Sequence, residues 1–226
     1  MGFGGIQSFI MNVYRTIDRN KIQFDFLLHH QPNFSYDNEI LKMGGRIYYL
    51  PSRNDGLKKN KTALDDFFKK HKEYEVVHEH ESSLSYIEPL IAAKKNGVPI
   101  RIIHSHSTHV LGSKLHLILH RMHSLCISQV ATHYIACGEL AGEWMFGKSR
   151  VKEYNILYNG IQLNKYKFNE QIRVEVRKEL GIKNSEIVMG HIGRFMQVKN
   201  HKFLLEIFKE YHKNNDNAVL ILIGDG

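Results

Sequence analysis

The sequence is poor in cysteine and has no long apolar run. Its 226 residues include only two cysteines, Cys126 and Cys137, which excludes a disulfide framework and favours a reducing compartment. No apolar stretch reaches the roughly 18 residues that a membrane-spanning helix needs. The opening MGFGGIQSF lacks the order of a signal peptide, and Ile6 stands where a myristoylation motif requires serine or threonine. The sequence therefore predicts a soluble cytoplasmic protein.

Acidic residues are scarce relative to basic ones. The chain has 23 Asp and Glu against 31 Lys and Arg, which gives a net charge of +8. This excess suits a nucleic acid, a phosphorylated small molecule or an acidic membrane surface, and it suits a lysine-rich solvated surface equally well. Lysines cluster at 58–61 and 69–72, but no nucleic-acid-binding motif accompanies them. We therefore expect no nucleic-acid partner.

The sequence does contain a regular alternation of short apolar runs and amphipathic stretches, which is typical of α/β architecture with parallel sheets. A polar segment follows Asn159 and Gly160, and a second alternation begins after it. We therefore predict an α/β fold with a first domain over 1–160 and a linker and second domain over 161–226. The predicted strands are 22–28, 46–50, 75–80, 99–106, 132–137, 154–158, 186–192 and 218–223, and the predicted helices are 6–17, 36–43, 62–71, 84–95, 114–128, 139–146, 171–180 and 200–213.

Both ends of the sequence depart from what two such domains would contain. A glycine-rich turn before a helix normally follows a strand, yet no strand precedes Gly4 and Gly5. At the other end, two parallel strands with one crossover helix cannot bury both faces of a sheet. We therefore expect the first domain to lack its first strand, and the second to be present only as its first βαβ unit.

Two glycine-containing turns are candidate phosphate sites. Gly4 and Gly5 precede a helix, where backbone amides and the positive helix end can approach an anion, although such a pair is often only a turn. In GRFMQVKNH, Gly193 permits a tight turn after an apolar strand, and Arg194 and Lys199 precede the next helix. Two cations beside helix amides, at the carboxyl end of a parallel strand, favour a diphosphate ligand.

Histidines crowd the middle of the chain. His78 and His80 end one predicted strand, and His104, His106 and His109 end the next. The stretch HSHSTH resembles the HxHxDH motif of the metallo-β-lactamase-like hydrolases, but threonine replaces its aspartate. We therefore expect no bound metal. The position of His106 at the carboxyl end of a parallel strand makes it the candidate catalytic residue.

The predicted helix 114–128 mixes basic and apolar residues. His116 and His120 have a spacing that suits zinc on a helix face, but the glutamate of an HExxH motif is absent. The same mixture suits a helix resting on an anionic membrane, and it suits a helix packed against the protein core at least as well. The sequence leaves these two placements of the helix open.

Taken in order, these segments resemble the family 4 glycosyltransferases of the GT-B fold, especially bacterial capsular and exopolysaccharide enzymes. The resemblance covers essentially the whole chain, and the order of its segments is more specific than any one motif. It rests on GGIQSFIMNVYR (4–15), VVHEHE (76–81), RIIHSHS (101–107), ACGELAGEWMFG (136–147), ILYNGIQLNKY (156–166), GHIGRFMQVKNHKFLLEIF (190–208) and ILIGDG (221–226).

This resemblance implies two Rossmann-like domains, the first on the acceptor side and the second binding a nucleotide-sugar, with a UDP-sugar as the expected donor. It implies transfer with retention to a polysaccharide or lipid-linked acceptor, without a metal or other cofactor, and with peripheral contact at the inner face of the cell membrane. By the same resemblance, His106 would lie near the reacting sugar or acceptor. The residues implied to bind the donor diphosphate are Gly4, Gly5, Gly193, Arg194 and Lys199.

Departures from the family pattern bear on activity. The paired-glutamate motif of the family is absent, and Gly138 replaces a common serine. We therefore expect the 226-residue chain to be weakly active or inactive. Two alternatives stay open: a zinc-dependent hydrolase of metallo-β-lactamase type, which a stoichiometric zinc content would favour, and a non-catalytic remnant that binds a partner or a membrane.

Overall fold

The computed structural model describes residues 4–29, 36–109, 113–147, 149, 151 and 153–226, and the chain divides into two compact units, 1–162 and 163–226. The helices are α1 (Gly5–Thr16), α2 (Asp37–Lys42), α3 (Leu57–Lys70), α4 (Glu88–Lys95), α5 (Lys114–Ser124), α6 (Ile127–Val130), α7 (Glu139–Phe146), α8 (Glu170–Glu179) and α9 (His201–His212). The strands are β1 (Phe26–Leu28), β2 (Ile47–Tyr49), β3 (Val76–Glu81), β4 (Ile100–Ser105), β5 (His133–Ala136), β6 (Asn155–Ile156), β7 (Ile187–Ile192) and β8 (Ala218–Ile223).

The described residues form three parallel sheets. In the first unit β1 pairs with β2, and a separate sheet has the order β3-β4-β5-β6; in the second unit β7 pairs with β8. Every strand pair is parallel, and helices connect successive strands. Since the carboxyl ends of the strands in one sheet lie at the same edge, the loops that follow β3, β4 and β5 are neighbours. The predicted α/β fold class with parallel sheets is confirmed.

Apolar residues on the inner faces of the helices form the core of the first unit. Met11 and Tyr14, three positions apart on α1, are fully buried and pack with Phe26 and Ile40 near β1 and β2. Full burial of one large apolar side chain stabilises the folded state by roughly 1.5–3 kcal/mol. A second cluster joins α4, α6 and α7 to the four-stranded sheet and contains Leu84, Ile87, Leu90, Ile103, Ile127, Ala136, Met145 and Phe146.

The prediction of one continuous helix over 114–128 was wrong. The segment contains two helices, α5 and α6, with a break at Leu125 and Cys126. At the break, the amides of Leu125 and Cys126 donate to the carbonyls of Met122 and His123, which lie three residues earlier instead of four. This tighter, 3₁₀-type turn ends α5 before α6 begins.

Two predicted helix starts were also wrong. α4 begins at Glu88 instead of residue 84, because Pro89 occupies the first turn, where its missing amide breaks no intrahelical hydrogen bond. α3 begins at Leu57 instead of residue 62, directly after Gly56, whose φ of 117° favours glycine. In both cases a glycine or proline, and not the apolar spacing, determines where the helix begins.

The second unit is a β-α-β arrangement preceded by α8. The register of β7 and β8 aligns Gly190 with Ile221, and α9 connects the two strands. The Arg177 guanidinium of α8 donates hydrogen bonds to the carbonyls of Lys183 and Glu186, which attaches α8 to the turn before β7.

Candidate functional site

Two adjacent strands of the four-stranded sheet carry histidines on one face. Side chains alternate between the faces of a strand, so those of His78 and His80 in β3 lie on the same side. The register pairs His80 with His104 of β4, and His106 follows two residues later. These four residues, His78, His80, His104 and His106, are termed the imidazole cluster.

The rings of the imidazole cluster are in contact. The ring centroids lie 4.1 Å apart for His78 and His80, 4.1 Å for His104 and His106, and 5.2 Å for His80 and His104. His80 Nδ1 lies 2.9 Å from His106 Nε2, a hydrogen bond in which one nitrogen carries the proton and the other accepts it. The predicted catalytic residue His106 is therefore oriented by a second histidine.

Burial, complete for His104 and partial for the other three residues, affects the charge of the imidazole cluster. Loss of solvation lowers the pKa of His78 and of His106 to about 4, and that of His104 to about 3. It also holds the pKa of His80 well below its ordinary value. The four rings are therefore neutral at pH 7, the form that accepts a proton or coordinates a metal ion.

Helix α1 lies against the imidazole cluster and begins at the predicted glycine pair. The ring centroid of Phe9 is 5.2 Å from that of His104 and 5.3 Å from that of His106. Gly4 is extended, with φ of −177°, and Gly5 is the first helical residue. A Cβ added to Gly5 would meet no atom of the described residues within 4 Å. Gly5 thus lies about one helical turn before Phe9, which contacts His106.

The opposite face of β3 carries two carboxyl groups that were not predicted, Glu79, which is buried, and Glu81, which is half-buried. Burial raises the pKa of Glu79 well above its ordinary value and that of Glu81 to about 8. Both carboxyl groups are therefore biased toward their neutral form. The signal was present in VVHEHE, where histidine and glutamate alternate and each residue type falls on its own face of the strand.

The stretch HSHSTH does not form a metal motif of its own. His104 and His106 belong to the imidazole cluster, whereas His109 is exposed and its Nδ1 lies 3.4 Å from Ser107 Oγ. The histidines that could share a metal ion are His78, His80 and His104, each of which offers a nitrogen within 4.8 Å of the other two. Spacing along β3 places His78 and His80 on one face, and the pairing of β3 with β4 adds His104.

The histidines of α5 have structural partners. His116 Nδ1 accepts a hydrogen bond from the Ser113 amide and completes a capping box at the helix start. His120 Nδ1 accepts from the Leu84 amide at 3.0 Å, and its ring stacks on Trp144 with centroids 4.6 Å apart. The spacing of His116 and His120 is therefore explained by a helix cap and by packing.

Three apolar residues of α5 lie on its exposed side. His120 and Ser124 are buried, whereas Leu115, Ile118 and Met122 are 58%, 53% and 59% exposed. Packing against the core therefore does not explain why these three residues are apolar. Within the part of the chain that the structure describes, no helix has both the length and the apolar character needed to cross a membrane.

In the second unit, the predicted diphosphate ligands fall in one loop. The 193–200 loop joins the carboxyl end of β7 to α9 and contains Gly193, Arg194 and Lys199. Side-chain carbons of Lys199 lie 3.5 Å from the position that a Cβ on Gly193 would take. Asn200, with φ of 48°, precedes the first residue of α9. Two basic residues thus lie in the short loop that leads to the N-terminus of α9, where a helix has its positive end.

Two histidines beside this loop were not predicted. His191 of β7 and His201 at the start of α9 have ring centroids 4.9 Å apart, and the Phe195 ring lies 4.9 Å from His201. The Nε2 atoms of both histidines are buried and have no hydrogen-bond partner among the described residues. A ligand or water molecule in the loop would satisfy such atoms. No periodic pattern marks these positions. His191 is a single polar residue in an apolar strand, and His201 lies among polar residues at the start of α9.

The chain is similar to proteins named as sugar-transferring enzymes, although no protein-family model matches it. Over its whole length it is 34% identical to EpsF of Bacillus subtilis, which its name assigns provisionally to the glycosyltransferases, and it covers 60% of that protein. It is 27% identical over 218 residues to the UDP-Gal:alpha-D-GlcNAc-diphosphoundecaprenol alpha-1,3-galactosyltransferase of Escherichia coli, covering 86% of the chain and 56% of the relative. It is also 36% identical over 78 residues to alpha-monoglucosyldiacylglycerol synthase of Acholeplasma laidlawii, a match that covers 33% of the chain and 19% of the relative. The chain thus spans less than two thirds of these relatives.

Solved structures match both units of the chain. HepE of Anabaena in complex with UDP has a TM-score of 0.70 at 14% identity, covering 100% of this chain and 67% of that one. HepE in complex with UDP and glucose has a TM-score of 0.76 at 16% identity, covering 99% of this chain and 58% of the HepE chain. The fold is GT-B. At such low identity the likeness concerns the fold alone. The chain matches only part of the length of each HepE chain.

Proposed function

We propose that the protein is a family 4 glycosyltransferase of bacterial capsular or exopolysaccharide synthesis. It transfers a sugar from a UDP-sugar to a polysaccharide or lipid-linked acceptor, with retention of configuration and without a cofactor for the transfer step. The observation that carries this proposal is the 193–200 loop, which contains two basic residues and connects the carboxyl end of a parallel strand to a helix N-terminus. The whole-length similarity to EpsF and the likeness in fold to a UDP-bound protein support it.

In this proposal the second unit binds the donor. Negative charge builds up on the leaving UDP as the bond to the sugar breaks, and Arg194 and Lys199 offset that charge. Gly193 keeps the start of the loop free of a side chain, and the N-terminus of α9 contributes its positive end. Fixed cations of this kind stabilise a diphosphate without a bound metal ion.

The first unit receives the acceptor. Gly4 and Gly5 offer the positive end of α1 to a phosphate group of the donor. His106, held by its hydrogen bond to His80, contacts the reacting sugar or the acceptor hydroxyl. Because its pKa is lowered to about 4, His106 is neutral at pH 7 and can accept the proton that the hydroxyl loses.

Peripheral contact with the cytoplasmic face of the cell membrane belongs to the same proposal. Leu115, Ile118 and Met122 form an exposed apolar stripe on α5, and Lys114 and Arg121 lie beside it in the sequence. A helix of this kind rests in the headgroup region of an anionic bilayer. A lipid-linked acceptor would meet the enzyme at that surface.

UDP binding, measured by titration calorimetry, tests the donor site. Each of the substitutions Arg194→Ala and Lys199→Ala should weaken binding by about tenfold or more, since hydrogen bonds to charged groups contribute roughly 1.5–3 kcal/mol. Lys209→Ala, near the other end of α9, is the matched control and should leave the affinity unchanged. No UDP binding, or equal affinities in all three variants, would contradict the proposed donor site.

Product formation from UDP-sugars and glycan or lipid-linked acceptors tests the catalytic part. His106→Ala should lower kcat by about 10²–10⁴-fold while leaving the affinity for UDP unchanged, because a general base acts on the chemical step. His109→Ala removes an exposed neighbouring histidine and should change neither quantity. Turnover is expected to be weak in the 226-residue chain, so complete absence of product from any donor, together with specific UDP binding, would favour the non-catalytic alternative instead.

A further inference from the structure

The imidazole cluster contains a set of three potential metal ligands. His78, His80 and His104 each present a nitrogen, and the three nitrogens lie within 4.8 Å of one another. In a tetrahedral zinc site with Zn–N bonds of 2.0–2.1 Å, ligand nitrogens lie about 3.4 Å apart. The rings already approach closely, with centroids 4.1 Å apart for His78 and His80, and 5.4 Å for His78 and His104.

The strands hold these ligands in place. His78 and His80 are two residues apart on β3 and therefore share one face, and the register places His104 beside His80 on the adjacent strand. A sheet of paired strands fixes ligand positions more firmly than a loop does. The ligand set is therefore built into the most regular part of the first unit.

His104 is the residue that aromatic packing alone does not explain. Its side chain is fully buried, and within the described residues neither Nδ1 nor Nε2 has a hydrogen-bond partner. Buried polar groups without partners are rare in folded proteins because their lost solvation is not compensated. A metal ion that binds one of these nitrogens would provide the missing interaction.

The orientation of the rings also suits a metal ion. His80 is bonded to His106 through Nδ1, which leaves Nε2 for an ion. A metal-ligating histidine commonly uses its other nitrogen in such an outer contact, which fixes the orientation of its ring.

We propose that His78, His80 and His104 bind a divalent transition-metal ion, with zinc as the best fit to three imidazole ligands. His106 supports the site through His80. The fourth position of a tetrahedral ion would be open to water or to a ligand of the first unit. This inference departs from the expectation of a metal-free chain, and it does not depend on the proposed transferase activity.

Metal titration of the tag-free, chelator-treated chain tests the proposal. We expect one Co²⁺ or Zn²⁺ ion per chain, a visible absorption band typical of four-coordinate Co²⁺, and a Tm that rises on adding Zn²⁺, since an ion that binds only the folded state stabilises it. His104→Ala and His78→Gln should each weaken binding by at least about tenfold and reduce the rise in Tm. His109→Ala, which removes an exposed histidine outside the cluster, should bind like the unsubstituted chain.

The two ligand variants keep the test decisive if one of them folds poorly. Circular dichroism shows which variant is folded, and His78→Gln keeps a polar side chain of similar size. Absence of stoichiometric binding by the unsubstituted chain would overturn the proposal and leave the cluster as an aromatic stack. Equal affinity in the folded ligand variants and in His109→Ala would overturn it as well, because the ion would then lie elsewhere.

Discussion

Single residues in this protein are constrained by contacts that their sequence context does not reveal, as Gly142 illustrates. Glycine inside a helix is ordinarily about 1 kcal/mol less favourable than alanine. Gly142 nevertheless lies in α7, where a Cβ would come within 2.1 Å of Cε2 in the Tyr154 ring. The ring of Tyr154, which packs against Phe146, occupies the space that an alanine would need.

Gly142→Ala should therefore lower the free energy of unfolding, although helix propensity alone would raise it. We expect a loss of about 1–3 kcal/mol, the usual cost of one extra methyl group in a packed interior. Urea denaturation followed by circular dichroism measures the change. Gly160→Ala is the control, because a Cβ there meets no atom within 4 Å, and its stability should be unchanged or slightly higher. A Gly142→Ala protein as stable as this control would contradict the packing.

The residues of the candidate sites differ in how far the sequence could predict them. Gly193, Arg194 and Lys199 were predicted to lie together because they belong to one continuous loop between a strand and a helix. The contact between His80 and His106 joins residues 26 positions apart and depends on the register of β3 and β4. Periodicity within one strand carries no information about that register, so the imidazole cluster was not predicted.

At the scale of secondary-structure elements, one carboxylate connects the amino ends of three strands. Asp25 precedes β1, Arg46 precedes β2 and Tyr74 lies just before β3. Tyr74 Oη donates to Asp25 Oδ2 at 2.5 Å, and Arg46 Nε donates to the same oxygen at 2.8 Å. Asp25 thereby links the two-stranded sheet of the first unit to the four-stranded one.

This link should make the first unit sensitive to acid. Burial opposes ionisation of Asp25, but the hydrogen bonds from Tyr74 and Arg46 outweigh it and hold its pKa below the ordinary value. A lowered pKa in the folded state stabilises the protein above the unfolded pKa of about 3.9, and this contribution is lost as the pH falls through the folded value. Urea midpoints at neutral and at acidic pH measure the effect.

Asp25→Asn should lower the urea midpoint at neutral pH and flatten its decline at acidic pH. Asp66→Asn is the matched control: this exposed carboxylate lies 3.8 Å from the Lys69 ammonium, a weak surface contact, so its loss should change neither value noticeably. If Asp25→Asn and the unsubstituted protein lost stability equally on acidification, the link would have no part in acid stability.

The elements themselves were largely predictable, because apolar periodicity records which face of each strand or helix is buried. The alternation of strands and helices gave the correct α/β class, and the ends of β7 and β8 match the prediction closely. The errors arose where the hydrogen-bond pattern changes inside an amphipathic run. Residues 114–128 remain amphipathic across the break at Leu125, so periodicity alone could not divide α5 from α6.

At the scale of the whole molecule, the net charge of +8 and the exposed stripe on α5 should act together. Each basic residue close to an anionic bilayer contributes about 1 kcal/mol to binding, and the apolar stripe adds burial in the headgroup region. Binding should therefore be stronger to anionic than to zwitterionic vesicles and should weaken as salt screens the charges.

Co-sedimentation with phosphatidylglycerol and phosphatidylcholine vesicles measures this behaviour. The double substitution Leu115→Gln and Ile118→Gln should weaken binding to anionic vesicles several-fold and leave the fold intact, because both side chains are more than half exposed. Ile91→Gln changes an exposed apolar residue on α4 and should have no effect. Equal binding by the double variant and this control would show that α5 is not the contact surface.

The stacking of His120 on Trp144 makes α5 observable without a label. Trp144 is the only tryptophan in the chain, and its ring lies 4.6 Å from that of His120 at an angle of 2°. Its indole N–H donates to the carbonyl of Ser82 in the loop after β3. An imidazole stacked on an indole alters the fluorescence of that indole. The intrinsic emission of the protein therefore reports how closely α5 lies against α7, and it would register any displacement of α5 by a membrane or an acceptor.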